Sequence, residues 1–164
     1  MRTEKNPVLV LGIGNTLFTD DGAGVYAVRV AKRLWRGEGV DFEEAQVGGF
    51  ELVHYIVGRR AVLIVDAAVT GLAEPGAISA VNVDALPPTF TVRGWGAGLG
   101  TALNVARSMR LPLPDAIQFL MIEAQDISCV GEIPTTPVAD AIRPAAQEVL
   151  RITTELVDGV LVMG

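Results

Sequence analysis

A lone cysteine, a lone histidine and an aromatic content of 5% narrow the chemistry of this 164-residue chain before any motif is read. With only Cys129, an intrachain disulfide and a thiolate metal cluster are both excluded; the residue is expected to serve as a small, semi-buried apolar group. With only His54, no H-E-x-x-H zinc motif can be written, and any Ser-His-Asp or Cys-His arrangement must use that one imidazole. Ser79, Ser108, Ser128 and Cys129 all lie outside a G-x-S-x-G elbow. Basic residues are in deficit, 13 Lys and Arg against 19 Asp and Glu. The resulting net charge of −6 and pI of about 4.7 argue against a nucleic-acid partner held on a basic surface. No run approaches the ~18 apolar residues of a membrane span, and the N-terminal segment lacks a signal-peptide pattern. The expectation is a soluble, cytoplasmic protein without membrane insertion.

What the chain does have is apolar material, 50% of its residues, enough for one full core, so residues 1–164 are read as a single domain. Continuous β-branched runs alternate with segments of helical periodicity, which is the pattern of a parallel sheet covered on both faces. Strands are expected at Val8 to Leu11, Asp41 to Val47, Ala61 to Val65, Ala77 to Val83 and Ile117 to Glu123. Between them, Ala27, Val30, Ala31 and Leu34 mark a helix stopped by Gly37, and a second helix follows Gly48-Gly49. Leu99, Ala102, Leu103 and Ala106 mark a third, which ends at Pro112. The last is capped by Thr136 with Pro137 at its first position, carries Ile142, Ala145, Ala146 and Val149 inward, and is kinked by Pro144. The fold class expected is α/β, a three-layer α/β/α sandwich around a mostly parallel five-stranded sheet.

The most informative stretch runs from Val8 to Val25, VLVLGIGNTLFTDDGAGV, an apolar strand entering a glycine-rich turn that ends in two acids. A dinucleotide site would need G-x-G-x-x-G, but Leu17 stands where the third glycine belongs. Asp20 and Asp21 would also repel a pyrophosphate from the helix N-terminus and favour a cation there instead. A small nucleotide-binding domain is therefore the weakest of three functional readings. In an open parallel sheet the working crevice lies beyond the carboxyl ends of the strands, which makes both Asp20 and Asp21 candidates for chemistry. A second candidate is Asp66, an acid ending the apolar run AVLIVDAA, where an uncompensated carboxylate is costly. Two nearby carboxylates repel unless a proton or a metal sits between them. The alternative for Asp66 is a cap on the following turn through Thr70 or backbone amides.

These segments, Gly12-Ile13-Gly14-Asn15 with Leu17, Asp20-Asp21-Gly22 with Gly24-Val25, Gly48-Gly49 and Ile64-Val65-Asp66-Ala67, resemble the maturation endopeptidases of nickel-iron hydrogenases. Pro75-Gly76 and Thr136-Pro137 extend the likeness over most of the chain. The resemblance implies a twisted sheet between helical layers, and an enzyme that removes a C-terminal extension from the hydrogenase large-subunit precursor after nickel insertion. It further implies that Asp21 and Asp66 are the catalytic and metal-facing acids. Gly12, Gly14, Asn15, Asp20, Gly22 and Gly24 would shape the loops around the substrate peptide. The family's third ligand, a histidine, falls near Trp95 in RGWGAGLG, which offers no nitrogen base. Trp95 is instead expected to pack against the substrate tail, in a segment that is either a lid or a tight turn.

That departure leaves several matters open. His54 is a candidate substitute ligand, set against its ordinary reading as a packed or solvent-facing histidine, and Glu51, Glu123 and Asp126 are candidate third oxygens. Carboxylates alone suit magnesium or manganese better than nickel; the resemblance implies nickel that arrives already held by the substrate, with another divalent cation as the alternative. Metal-dependent cleavage and a paired-carboxylate mechanism, in which Asp21 and Asp66 share a proton and activate water, both fit. A recognition factor that binds the precursor without cutting it is the rival to the peptidase.

Overall fold

The runs VLVLGI and AVLIVDAA form β1 (Val8–Ile13) and β3 (Ala61–Ala68), strands buried along their whole length. Such strands can sit only at the centre of a sheet covered on both faces. The computed structural model describes residues 5–83 and 99–163, apart from the side chains of 160–163. β2 (Val40–Ala45), β4 (Ile78–Asn82) and β5 (Ala116–Glu123) complete a sheet of order β2-β1-β3-β5-β4. All pairs are parallel except β4 with β5. The register sets Val8 opposite both Val40 and Ala61, and Asp66 opposite Met121. The partly exposed strands β2 and β4 lie at the edges, as their polar alternation requires.

Successive side chains of the central strands point to opposite faces. Val8, Val10, Leu63 and Val65 pack under α1 (Ala23–Leu34) and α4 (Thr136–Met163). Leu9, Leu11, Val62 and Ile64 pack under α2 (Phe50–Ile56) and α3 (Leu99–Ser108). The architecture is the three-layer α/β sandwich expected, and all five strands fall where the β-branched runs placed them, within a few residues at each end.

The helices depart from expectation in detail. In α1 the buried face is Ala23, Gly24, Ala27, Val28 and Ala31, while Leu34 is half exposed. Trp35 is already extended and its N–H closes on Ala31 O, so the stripe ends one turn early and the chain leaves the helix before Gly37. The third helix stops at Ser108, short of Pro112. Thr136 is the first residue of α4, and the capping position falls to Thr135, whose carbonyl accepts the Ala139 N–H at 2.8 Å. Pro144 lies inside α4 without interrupting it. The proline and Asp140, whose carbonyl loses its i+4 donor, are both on the exposed face of the helix.

The close fit of α1 on the sheet comes from glycines. A Cβ at Gly24 would lie 2.3 Å from Val65 O and 2.7 Å from Ile13 O, between the ends of β1 and β3. A Cβ at Gly12 would press on Gly24 O at 3.0 Å and Val25 Cα at 3.1 Å from the other side. This contact lets the turn after β1 ride directly over the end of β3. Gly24→Ala is expected to cost roughly 2–4 kcal/mol by forcing α1 off the strands. Gly159→Ala, in α4 with nothing within 4 Å of the added Cβ, is expected to be neutral or stabilising by about 0.5–1 kcal/mol. Denaturant melts of the two variants check the contrast; equal effects would contradict it.

Candidate active site

The turn between β1 and α1 is built so that its two adjacent acids do different work. Thr19–Gly22 forms a single 3-10 turn. Within it Asp20 is fully buried and Asp21 half-buried. Asp20 Oδ2 accepts the Gln125 and Asp126 N–H groups and the Thr135 hydroxyl, each at 2.9 Å, and Oδ1 accepts the Thr135 N–H at 2.7 Å. Four donors meet the requirement of a buried carboxylate. They tie the first turn to the segment joining β5 and α4, so Asp20 is a structural strut with no surface to offer a substrate. Backbone bonds continue the seam: Thr19 N–H donates to Cys129 O at 3.2 Å and Gly131 N–H to Leu17 O at 2.9 Å, beside a Phe18–Val130 bridge.

With Asp20 pinned inward, Asp21 is the acid of this turn that keeps exposed surface. Its Oδ2 accepts the Asn15 N–H at 2.7 Å, while Oδ1 has no protein partner among the described residues. Burial pushes its carboxyl above the ordinary aspartate value of 3.8, and the Asn15 N–H offsets part of that rise. Asn15 is held in turn by its own side chain, whose Oδ1 accepts the Leu17 N–H at 3.0 Å. Gly14, with φ of 135°, passes so close that a Cβ there would lie 1.8 Å from Asp21 O. A Cβ on Gly22 would meet the Tyr26 ring at 2.9 Å and Thr16 Cα at 3.0 Å. The glycines of this loop thus serve the close packing that aims Asp21.

Asp66 is buried near the end of β3, next to Val65, whose carbonyl is the one crowding Gly24. Its Oδ1 accepts the Ala67 N–H at 2.8 Å. The topology thus brings Asp21 and Asp66 to one end of the sheet. The role of holding Thr70 belongs to Glu123, not Asp66: Glu123 accepts the Thr70 N–H at 2.8 Å, the Thr70 hydroxyl at 2.6 Å and the Gly71 N–H at 2.9 Å. Asp126 is likewise engaged, by the Ser128 N–H and hydroxyl at 2.8 Å and the Cys129 N–H at 3.1 Å. The Cys129 thiol, with the Ser128 and Cys129 donors, holds the Asp126 carboxyl far below the usual range, and Asp126 pushes the thiol up. Cys129 is exposed rather than semi-buried because this turn carries it on the loop surface. A raised thiol is a poor nucleophile.

His54 is not brought to the acids. It sits exposed near the end of α2, where its carbonyl accepts Lys5 Nζ at 3.4 Å, just ahead of the amino end of β1 and so at the opposite end of the strands. Its side chain lines an apolar groove between α2 and α3. Glu51 is exposed at the start of α2. Trp95 and its glycine-rich segment lie outside the described residues. Among the described residues no three His, Cys, Asp or Glu side chains are grouped to hold a metal ion. Among the described residues, the acidic side chains at this end of the sheet offer carboxylate oxygens, which suit nickel poorly.

With this geometry in place, the comparisons with known proteins are specific. Residues 27–152 match the HycI family, described as hydrogenase maturation protease. The chain is 29% identical over 150 residues to the hydrogenase 2 maturation protease of Escherichia coli (strain K12), covering 90% of this chain and 91% of that protein. It is 27% identical over 157 residues to the hydrogenase expression/formation protein HupD of Bradyrhizobium diazoefficiens, covering 93% and 81%. Among solved structures, the hydrogenase maturating endopeptidase HybD from E. coli superposes with a TM-score of 0.76 at 25% identity, over 90% of this chain and 92% of that one.

Two outcomes follow for the acids. Asp20→Ala removes the acceptor of four donors in a part-buried seam and should cost about 2 kcal/mol or more; an unchanged denaturation midpoint would contradict the strut. Asp21→Asn should do the reverse. A carboxyl whose folded pKa is raised loses stability as pH rises through the folded value, so removing it gives a gain present at neutral pH and absent below the ordinary 3.8. Because Asp21 is only half-buried, the gain should be about half a kcal/mol or less after solvent screening. A loss at pH 7, or a gain persisting at pH 3, would contradict this assignment.

Proposed function

The chain belongs to the hydrogenase maturation protease family and is a hydrolase of the endopeptidase type, and from that premise we propose that it removes the C-terminal extension of a nickel-iron hydrogenase large-subunit precursor. The observation that carries the residue assignment is Asp21: a carboxylate aimed by a buried neighbour, with one oxygen held, the other unpartnered among the described residues, and a raised proton affinity. Peptide hydrolysis adds water across the amide. The hydroxyl stays on the new C-terminal carboxyl of the mature subunit, and the proton passes to the amine of the released peptide. A base at Asp21 takes the proton from water, and its raised pKa lets the same group return it to the leaving nitrogen. Asp66, whose carboxylate accepts the Ala67 N–H at 2.8 Å, is the second acid at this end of the sheet and is assigned to positioning the substrate.

Nickel enters this proposal as part of the substrate. The two crevice carboxylates contact a substrate-borne metal weakly, which suits recognition of a loaded precursor better than retention of an ion in the free chain. The proposal also places the protein in the cytoplasm, where a lone exposed thiol stays reduced. Among the described residues no helix is long and apolar enough to cross a membrane. One observation favours the non-cutting recognition factor: the described residues supply no third metal ligand.

Mass spectrometry of a precursor carrying its extension separates these readings. The wild type should release the C-terminal peptide. Asp21→Asn and Asp66→Asn should each lower kcat/KM by about 100-fold or more. His54→Ala, away from the crevice, should leave the rate unaltered. Binding without release of peptide would establish the recognition factor, and a His54→Ala variant as inactive as Asp21→Asn would overturn the assignment of the acids.

A further inference from the structure

The loops that follow β1, β3 and β5 expose aliphatic side chains at the end of the sheet where Asp21 and Asp66 lie. Leu17 is 54% exposed, Leu72 91%, Val130 83% and Ile133 81%. Single exposed apolar residues are ordinary, but several on converging loops around one crevice mark an interaction surface. Their backbones are also fixed. Leu17 O accepts Gly131 N–H at 2.9 Å, and Phe18 bridges Val130. Leu72 follows Thr70 and Gly71, both anchored on Glu123, and its N–H donates to Thr70 Oγ1 at 3.1 Å. A surface whose loops are already ordered pays little entropy on association.

We propose that Leu17, Leu72, Val130 and Ile133 form the docking rim for the body of the precursor, taking an aliphatic, neutral-to-basic polypeptide surface next to the scissile segment. The inference rests on the protease reading above and adds to it the surface by which the partner is chosen. Aliphatic contacts supply the affinity. The crevice acids and the net charge of −6 disfavour an acidic partner and favour a neutral or cationic one. The rim lies at the same end of the sheet as the acids, so the contact that selects the precursor also brings its tail towards Asp21.

The test is steady-state cleavage of the precursor by the wild type, by the quadruple variant Leu17→Ser, Leu72→Ser, Val130→Ser, Ile133→Ser, and by Met109→Ser. Met109 is also exposed, at 66%, but lines the α2/α3 groove with His54. The quadruple variant should raise KM by about tenfold or more with kcat within about twofold, and Met109→Ser should leave both unchanged. Should the quadruple variant fold poorly, Leu72→Ser alone carries the test through a smaller rise in KM. An unchanged KM in a variant that still cuts, or an equal rise in Met109→Ser, would overturn the rim alone. A wild type that neither binds nor cuts the precursor would overturn rim and protease reading together. A wild-type dimer in sedimentation that the quadruple variant abolishes would give the rim to a second copy and overturn the proposal.

Discussion

The crevice depends on one buried carboxylate. Asp20 exchanges hydration for four hydrogen bonds from Gln125, Asp126 and Thr135, and the exchange is favourable only while all four are made. Because the donors lie between β5 and α4, the bond set ties the first strand's turn to the fifth strand's loop across the sheet. Everything at the mouth of the crevice inherits that tie: the direction of Asp21, the seam from Leu17 to Gly131, and the placement of Val130 and Ile133.

Glycine crowding is the second constraint, and it acts with the first. Gly12 and Gly24 let α1 settle against the ends of β1 and β3, and Gly14 lets the chain turn against the Asp21 carbonyl. Together they bring a half-buried acid over the end of a strand that carries a fully buried one. The proton affinity of Asp21 follows from this packing, since desolvation raises it and a single backbone N–H from Asn15 only partly offsets the rise.

Much of this was legible in the letters because the central strands are nearly pure apolar runs. VLVLGI and AVLIVDAA admit little besides buried parallel strands, and the small-residue stripe of α1 marks a helix lying close on a sheet. Helix ends were less legible, since Trp35 and Thr135 are fixed by tertiary contacts that no local pattern announces. Asp21 and Asp66 stand out in the letters through the resemblance and their place at strand ends. The division of labour between Asp20 and Asp21 does not, because adjacent acids look alike until the donors from Gln125 to Thr135 fold against one of them. Glu123 and Asp126 were readable as acids near strand ends but not as anchors of Thr70 and Ser128. His54, on the helix after Gly48-Gly49, lines the groove between α2 and α3, and its carbonyl accepts Lys5 Nζ.

The pH dependence of kcat/KM for precursor cleavage bears most directly on the claim that a desolvated Asp21 carboxylate handles the proton. The account predicts an acid limb whose apparent pKa lies above the ordinary aspartate value of 3.8 and moves when Asp21 is replaced by Glu, while the same substitution at exposed Asp140 leaves it in place. A limb that stays fixed in Asp21→Glu, or a rate independent of pH across the acid range, would contradict it.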